Sequence, residues 1–79
     1  MLSSSMATLR LRIGKAIRRL RGAAGYSQEG FALACRFHRT YIGAIERGEK
    51  NITIDSFERI AKTLKVSPFE LFREAEKEG

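Results

Sequence analysis

Leu9, Ile13, Ala16, Ile17 and Leu20 recur at helical intervals near the start of the chain. At about 100° per residue they form one stripe roughly 100° wide, and Arg10, Arg12, Lys15, Arg18, Arg19 and Arg21 occupy the rest of the circumference. The pattern predicts a first helix from about Thr8 to Gly25, where glycine suits a left-handed stop. Leu11 falls off the stripe. Ser27 then offers an N-cap, with Glu29 in the first turn of a second helix that runs through Cys35. A turn at Arg36 and Phe37 leads to a third helix over about Arg39 to Arg47, closed by Gly48.

After the loop "EKNI", Thr53 caps a fourth helix with Ile54, Phe57, Ile60, Ala61 and Leu64 at i, i+3, i+4 spacing. "SPFE" combines a Ser67 cap, Pro68 at the first helical position and Glu70 three residues after the cap, a capping box that opens a fifth helix. No alternating strand pattern and no internal repeat interrupts the series. The expected fold is all-α, with five helices. Residues 1–7 are expected to be a flexible N-terminal tail, and residues 8–79 a single domain.

The 79 residues bound what such a domain can do. A chain of this size buries only about 60–65% of its unfolded surface, so it folds with a thin margin or gains stability by oligomerising. With one cysteine and one histidine, neither an internal disulfide nor a zinc site at the usual spacing can form. A reducing cytoplasm is the natural setting. No apolar run approaches the roughly 18–20 residues that span a bilayer. The opening residues contain no acid, which superficially matches an organelle transit peptide. Against that reading, Ile13, Ile17 and Leu20 are needed for the core.

Charge divides the chain. Residues 1–50 carry ten Lys/Arg against three acids, and residues 51–79 carry five against six. The basic half points to a polyanion, either nucleic acid or an anionic membrane surface. The near-neutral half calls for a different role.

Two short helices joined by a tight turn, over residues 27–47, form a helix-turn-helix pattern. Its geometry demands small side chains where the helices cross, and Ala32 and Cys35 supply them. Phe37, Ile42 and Ile45 would lock the pair to the core, leaving Arg39, Thr40, Gly43, Ala44 and Arg47 facing outward. A major groove about 12 Å wide admits one such helix, whose N-terminal residues meet base edges first.

The segments "YSQEGFALA", "RTYIGAIERG" and "FERIAKTLKVSPFELF" resemble the Xre/Cro/phage-repressor helix-turn-helix family over residues 10–72. Together with the shortness of the chain, "HRTYIGAIERGEKNITIDSFERI" looks most like the controller proteins of restriction–modification systems. The resemblance implies a lambda-repressor-like DNA-binding domain. It also implies a homodimeric regulator, without cofactor or metal, that binds operators upstream of its own gene and an endonuclease gene. RNA polymerase is a further partner to test for a regulator of transcription.

By the same resemblance, Gln28 holds a phosphate at the start of the second helix, where free amides also favour an anion. Arg39 and Thr40 match base-reading positions: an arginine can bond guanine O6 and N7 together, and a threonine offers a hydroxyl or a methyl. Ala44 matches a position that meets a thymine methyl. Tyr41, Gly43, Arg47, Lys50 and Asn51 match positions along the DNA backbone. Arg21 and Glu46 match an ion pair joining the first helix to the third, which would also aim Arg21 at a phosphate. Leu64, Val66, Phe69 and Phe72, within residues 60–75, match the dimerisation region.

Two positions depart from the family pattern. Arg36 stands where Gly or Asn is usual, and His38 where Ser or Asp caps the third helix. A left-handed arginine costs about 1–2 kcal/mol unless the turn takes another shape, and histidine is a poor N-cap.

Other readings compete. A membrane-binding peptide centred on the first helix fits its basic face, but leaves the helix pair and the later caps unexplained. An enzyme lacks any constellation of nucleophile, base and clustered acids. A phage-type repressor or an antitoxin keeps the fold and changes the role.

Overall fold

A computed structural model describes residues 2–78, with side chains over residues 9–78. Five helices follow one another: α1 (Leu2–Ala23), α2 (Gln28–Cys35), α3 (Arg39–Glu46), α4 (Ile54–Thr63) and α5 (Pro68–Lys77). No strand occurs among the described residues. The all-α architecture is the one the apolar periodicity predicts.

The caps do what their chemistry requires. Ser27, Thr53 and Ser67 each take an extended backbone and accept a hydrogen bond from an amide in the first turn of their helix. Ser67 and Glu70 complete the reciprocal capping box. The start of α1 differs from expectation. Helix begins at Leu2, not Thr8, because the segment before Thr8 contains neither Pro nor Gly to break it. The tail expected over residues 1–7 therefore gives way to helix from Leu2, and its first residue, Met1, lies outside the described residues.

Four helices end in the same way. The residues at the left-handed position are Gly25, Arg36, Gly48 and Lys65, with φ of 86°, 63°, 73° and 62°. Each time the next amide donates back to the last turn of the helix, as Phe37 N does to Ala32 O at 2.9 Å and Val66 N to Ala61 O at 3.0 Å. Arg36 thus adopts the costly conformation, and no other turn shape relieves it. What offsets the cost is the placement of Phe37. Its ring packs 4.8 Å from that of Tyr41. The Arg59 guanidinium of α4 lies 4.5 Å from the Phe37 centroid, and its Nη1 donates to Arg36 O at 3.5 Å. Arg59 therefore braces the turn between α2 and α3 from outside.

The core draws on all five helices. Ile13, Ala16 and Ile17 of α1 meet Leu71 and Ala75 of α5 on one side and Ile42 and Ile45 of α3 on the other. Phe31, Ala32 and Cys35 of α2 fill the space toward Ile60 and Ala61 of α4. Each large aliphatic side chain buried this way contributes roughly 1.5–3 kcal/mol. Burial pushes the Cys35 thiol up, against a hydrogen bond from Thr63 and the nearby charge of Arg59, so it serves as a small protonated core residue.

Two contacts set how α1 lies. A Cβ on Gly14 would come within 2.4 Å of Ile45 O and 2.7 Å of Glu46 O. The backbone of α1 therefore rests directly on the last turn of α3. At the other end, Arg19 reaches across to α5, with Nε 2.7 Å from Glu78 and Nη2 2.9 Å from Glu74. Arg19, then Lys77, holds the Glu74 carboxyl below the usual range. Arg19 is exposed and the two carboxylates are half-buried at the surface, where solvent screens the pairs, so the clasp orients α5 more than it stabilises it.

Candidate nucleic-acid interface

The outer surface of the α2–α3 pair begins with one carboxylate. Glu46, on the last turn of α3, is only 8% exposed. Its Oε2 accepts from Arg21 Nε at 2.7 Å, and its Oε1 accepts from Arg21 Nη2 at 3.1 Å and from Gln28 Nε2 at 3.0 Å. Arg21 Nη1 donates to Tyr26 O at 3.0 Å. Glu46 thus ties α1 and the first residue of α2 to the end of α3. The two-pronged contact satisfies the geometry that makes arginine–carboxylate pairs strong. The hydrogen bond to Glu46 raises the Arg21 pKa above its usual value, with burial acting against it.

This network carries consequences for the predicted phosphate contacts. Arg21 commits three of its five N–H donors within the domain, leaving two. Gln28 spends one amide hydrogen on Glu46 and keeps the other. Gly43 departs from expectation, because it is buried rather than outward-facing. A Cβ there would meet Arg47 Nη1 at 3.1 Å and Gln28 Oε1 at 3.5 Å. The missing side chain lets Gln28 and Arg47 lie across α3, so those two, not the Gly43 backbone, form the surface at that point.

Further along α3, Arg39 and Thr40 are exposed and Ala44 is half-buried. They lead the helix while Ile42 and Ile45, fully or nearly fully buried, anchor its inner face. Tyr41 is half-buried beside Phe37. Beyond the helix, Arg47 forms an exposed ion pair with Glu49 at 3.1 Å, while Lys50 is exposed. Asn51 Oδ1 accepts from Arg10 Nη1 at 3.2 Å, which joins the loop after α3 to the basic face of α1.

His38 caps α3 despite its low preference for that position. Its Nδ1 accepts from Thr40 N at 3.2 Å and is also in hydrogen-bond contact with Thr40 Oγ1. The free amides and the dipole at this end favour a negative partner. Exposed cations, a solvent-facing N-terminus and a rigid inner face suit a polyanion with base edges to read.

Sequence reasoning missed three supports of this surface: Gly14, Arg59 and the link from Arg10 to Asn51. Only Gly14 carried a legible signal. A glycine inside a long apolar stripe costs helix stability of about 1 kcal/mol, which marks it as a place of close approach.

The dimerisation residues divide. Leu64 and Val66 are half-buried and pack on the chain's own core. Phe69 and Phe72 are exposed, at 77% and 43%. Ile54, 85% exposed, shares with Phe72 a groove of about 230 Å³ that Ile13, Ile52 and Phe57 also line.

Comparison with known proteins places this geometry. The family model described as Helix-turn-helix matches residues 17–71. Control protein C.BamHI of Bacillus amyloliquefaciens is 44% identical over 64 residues, covering 80% of this chain and 79% of that protein. Control protein C.MunI of a Mycoplasma species is 35% identical over 74 residues, covering 92% of this chain and all of that protein (100%). Among solved structures, the restriction–modification controller protein C.Esp1396I, as a tetramer in complex with its natural 35 base-pair operator, superposes with a TM-score of 0.80. The two are 38% identical, and the match covers 89% of this chain and 92% of that one.

Proposed function

The chain belongs to the helix-turn-helix family, alongside the restriction–modification controller proteins, and on that premise we propose that it is a homodimeric transcriptional regulator of a restriction–modification system. It binds operators upstream of its own gene and of the endonuclease gene, in the bacterial cytoplasm. The observation that carries this reading is the pairing of exposed Arg39 and Thr40 with a rigid α3, held on its inner face by Ile42 and Ile45 and at its far end by Glu46. Arg39 makes no ion pair among the described residues, so its guanidinium is available to a partner.

Arg39, Thr40 and Ala44 read bases. Arg21, Gln28, Tyr41, Arg47, Lys50 and Asn51 hold the backbone, joined by Arg10 through Asn51. One short helix reads too few base pairs to find a single site, so two protomers are needed, with half-sites about 34 Å or a multiple of it apart. Exposed Phe69, Phe72 and Ile54 support α5 and the start of α4 as the dimer surface, with Leu64 and Val66 backing it from the core side. RNA polymerase is the partner that activation would require. Exposed Leu33 on α2, in the groove that also holds Glu29 and Arg39, offers it an apolar contact at the edge of the DNA-facing surface.

Footprinting on the DNA upstream of the coding region tests the proposal. Two protected half-sites related by two-fold symmetry are the expected result. No protection there, at protein concentrations that saturate non-specific DNA, would overturn it.

A further inference from the structure

The side chains of Arg59, Phe37 and Tyr41 form a stack that runs from α4, across the turn before α3, to the flank of α3 itself. We propose that Arg59 is a positioning residue for Tyr41: acting through the Phe37 ring, it fixes the tyrosine in place before DNA arrives. The inference rests on the reading of α3 as the recognition helix with Tyr41 on the DNA backbone.

Arg59 has an alternative that it does not take. Asp55 stands one turn earlier on α4, a spacing at which aspartate and arginine ordinarily pair, yet Arg59 makes no ion pair among the described residues. Its guanidinium lies instead over the Phe37 ring, 4.5 Å from the centroid, with Nη1 3.5 Å from Arg36 O. The face of an aromatic ring is electron-rich and attracts a cation, and a planar guanidinium stacks on it well. Phe37 is thus held from two directions. Its amide donates to Ala32 O at 2.9 Å, and Arg59 covers its ring.

Phe37 passes that constraint on. Its ring meets Tyr41 at 4.8 Å between centroids, with the planes tilted by 54°, within the range in which aromatic rings attract. Tyr41 is half-buried, so part of its side chain stays open to a partner. One residue past Thr40 and three before Ala44, it flanks the base-reading row. A loose tyrosine there would have to be ordered when DNA binds, and that ordering would be subtracted from the affinity. A tyrosine already held avoids the loss. A residue of α4, outside the helix pair, therefore takes part in how α3 grips DNA.

The test is a double-mutant cycle on operator affinity at fixed salt, at a temperature where circular dichroism shows every variant folded. Arg59→Met keeps an unbranched stem and removes the charge. It should weaken operator binding about two- to fivefold, the range of one cation–π contact at an exposed site. In a Tyr41→Ala background the same change should have no effect. A second readout needs no DNA. The chain has two tyrosines and no tryptophan, so in Tyr26→Phe the emission comes from Tyr41 alone. There Arg59→Met should lower the tyrosine fluorescence anisotropy by freeing the ring. If Arg59→Met does not fold, Arg59→Lys, which keeps the charge without the planar guanidinium, takes its place in both measurements.

Equal losses from Arg59→Met in the wild-type and Tyr41→Ala backgrounds would overturn the proposal, since Arg59 would then act through the whole turn or touch a phosphate itself. Operator binding as tight as that of the wild type would overturn it too, as would an unchanged anisotropy. If Tyr41→Ala leaves operator affinity intact while Arg39→Ala lowers it, this inference fails and the regulator stands. If the wild-type protein does not distinguish operator from shuffled DNA, the proposed function itself fails.

Discussion

Gly14 of α1 lies against the carbonyl of Ile45 so closely that a methyl group in place of its hydrogen would sit 2.4 Å from that oxygen. The obstacle is backbone, which cannot rotate away as a side chain would. The contact fixes the height of α1 over the last turn of α3, the turn that carries Glu46.

Gly14→Ala should therefore destabilise the domain by about 1–3 kcal/mol, the usual cost of forcing atoms into a packed contact. Gly22→Ala is the matched control, since nothing lies within 4 Å of its Cβ position. In the same helix it should stabilise by up to about 1 kcal/mol. Thermal unfolding of the two variants reads opposite signs. A Gly14→Ala protein as stable as wild type would mean that α1 and α3 are not in this contact.

Glu46 should behave as a shared anchor rather than as one half of an isolated pair. Its side chain is 4% exposed and that of Arg21 14%, so solvent screens the interaction only in part. A double-mutant cycle on Arg21→Ala and Glu46→Ala should give a coupling of roughly 0.5–3 kcal/mol. Gln28→Ala should then cost less in the Glu46→Ala background than in the wild type, because both lose the same oxygen. Strict additivity among the three positions would dissolve the network.

Much of this architecture is legible in the chain itself. Ser27, Thr53 and Ser67 announce helix starts through their own chemistry, and the apolar stripe of α1 names the residues that face the core. The relation between Arg21 and Glu46 came from family resemblance, because charge alone does not say which of six basic residues in α1 finds a buried acid. Other features depend on atoms supplied by distant segments. Gly43 reads as outward on a helical wheel, yet Gln28 and Arg47 cover it. Arg36 and Lys65 adopt left-handed conformations that local preference argues against, because Phe37 and Val66 gain a place beside the core. A one-dimensional pattern identifies a face, but it does not identify what presses on that face.

Base reading and phosphate holding should separate by substitution. Arg39→Ala should cost about 1–3 kcal/mol on the operator and little on random duplex. Lys50→Ala should weaken both and lower the slope of log affinity against log salt by about one. Titrations by fluorescence anisotropy at several salt concentrations measure both quantities. Equal losses from both variants on both DNAs would reduce Arg39 to a phosphate contact.

Phe69 is 77% exposed, so its replacement should disturb assembly rather than folding. Phe69→Asp should sediment as a monomer at concentrations where the wild type is dimeric, with a monomer stability within about 0.5 kcal/mol of the parent surface. Leu71→Ala, which empties a site 1% exposed, should instead unfold the domain at lower temperature by removing about 2–5 kcal/mol. A Phe69→Asp protein that remains dimeric would move the interface elsewhere.

The most direct test of α3 as a reader of base edges is competition between two duplexes of identical composition, the upstream operator DNA and its shuffled counterpart, at about 0.15 M salt, where non-specific attraction is screened. The operator should be preferred by at least about 10³-fold, the lower bound of specific recognition by proteins of this kind. Equal affinity for the two would contradict the account, leaving a basic domain that holds DNA without reading it.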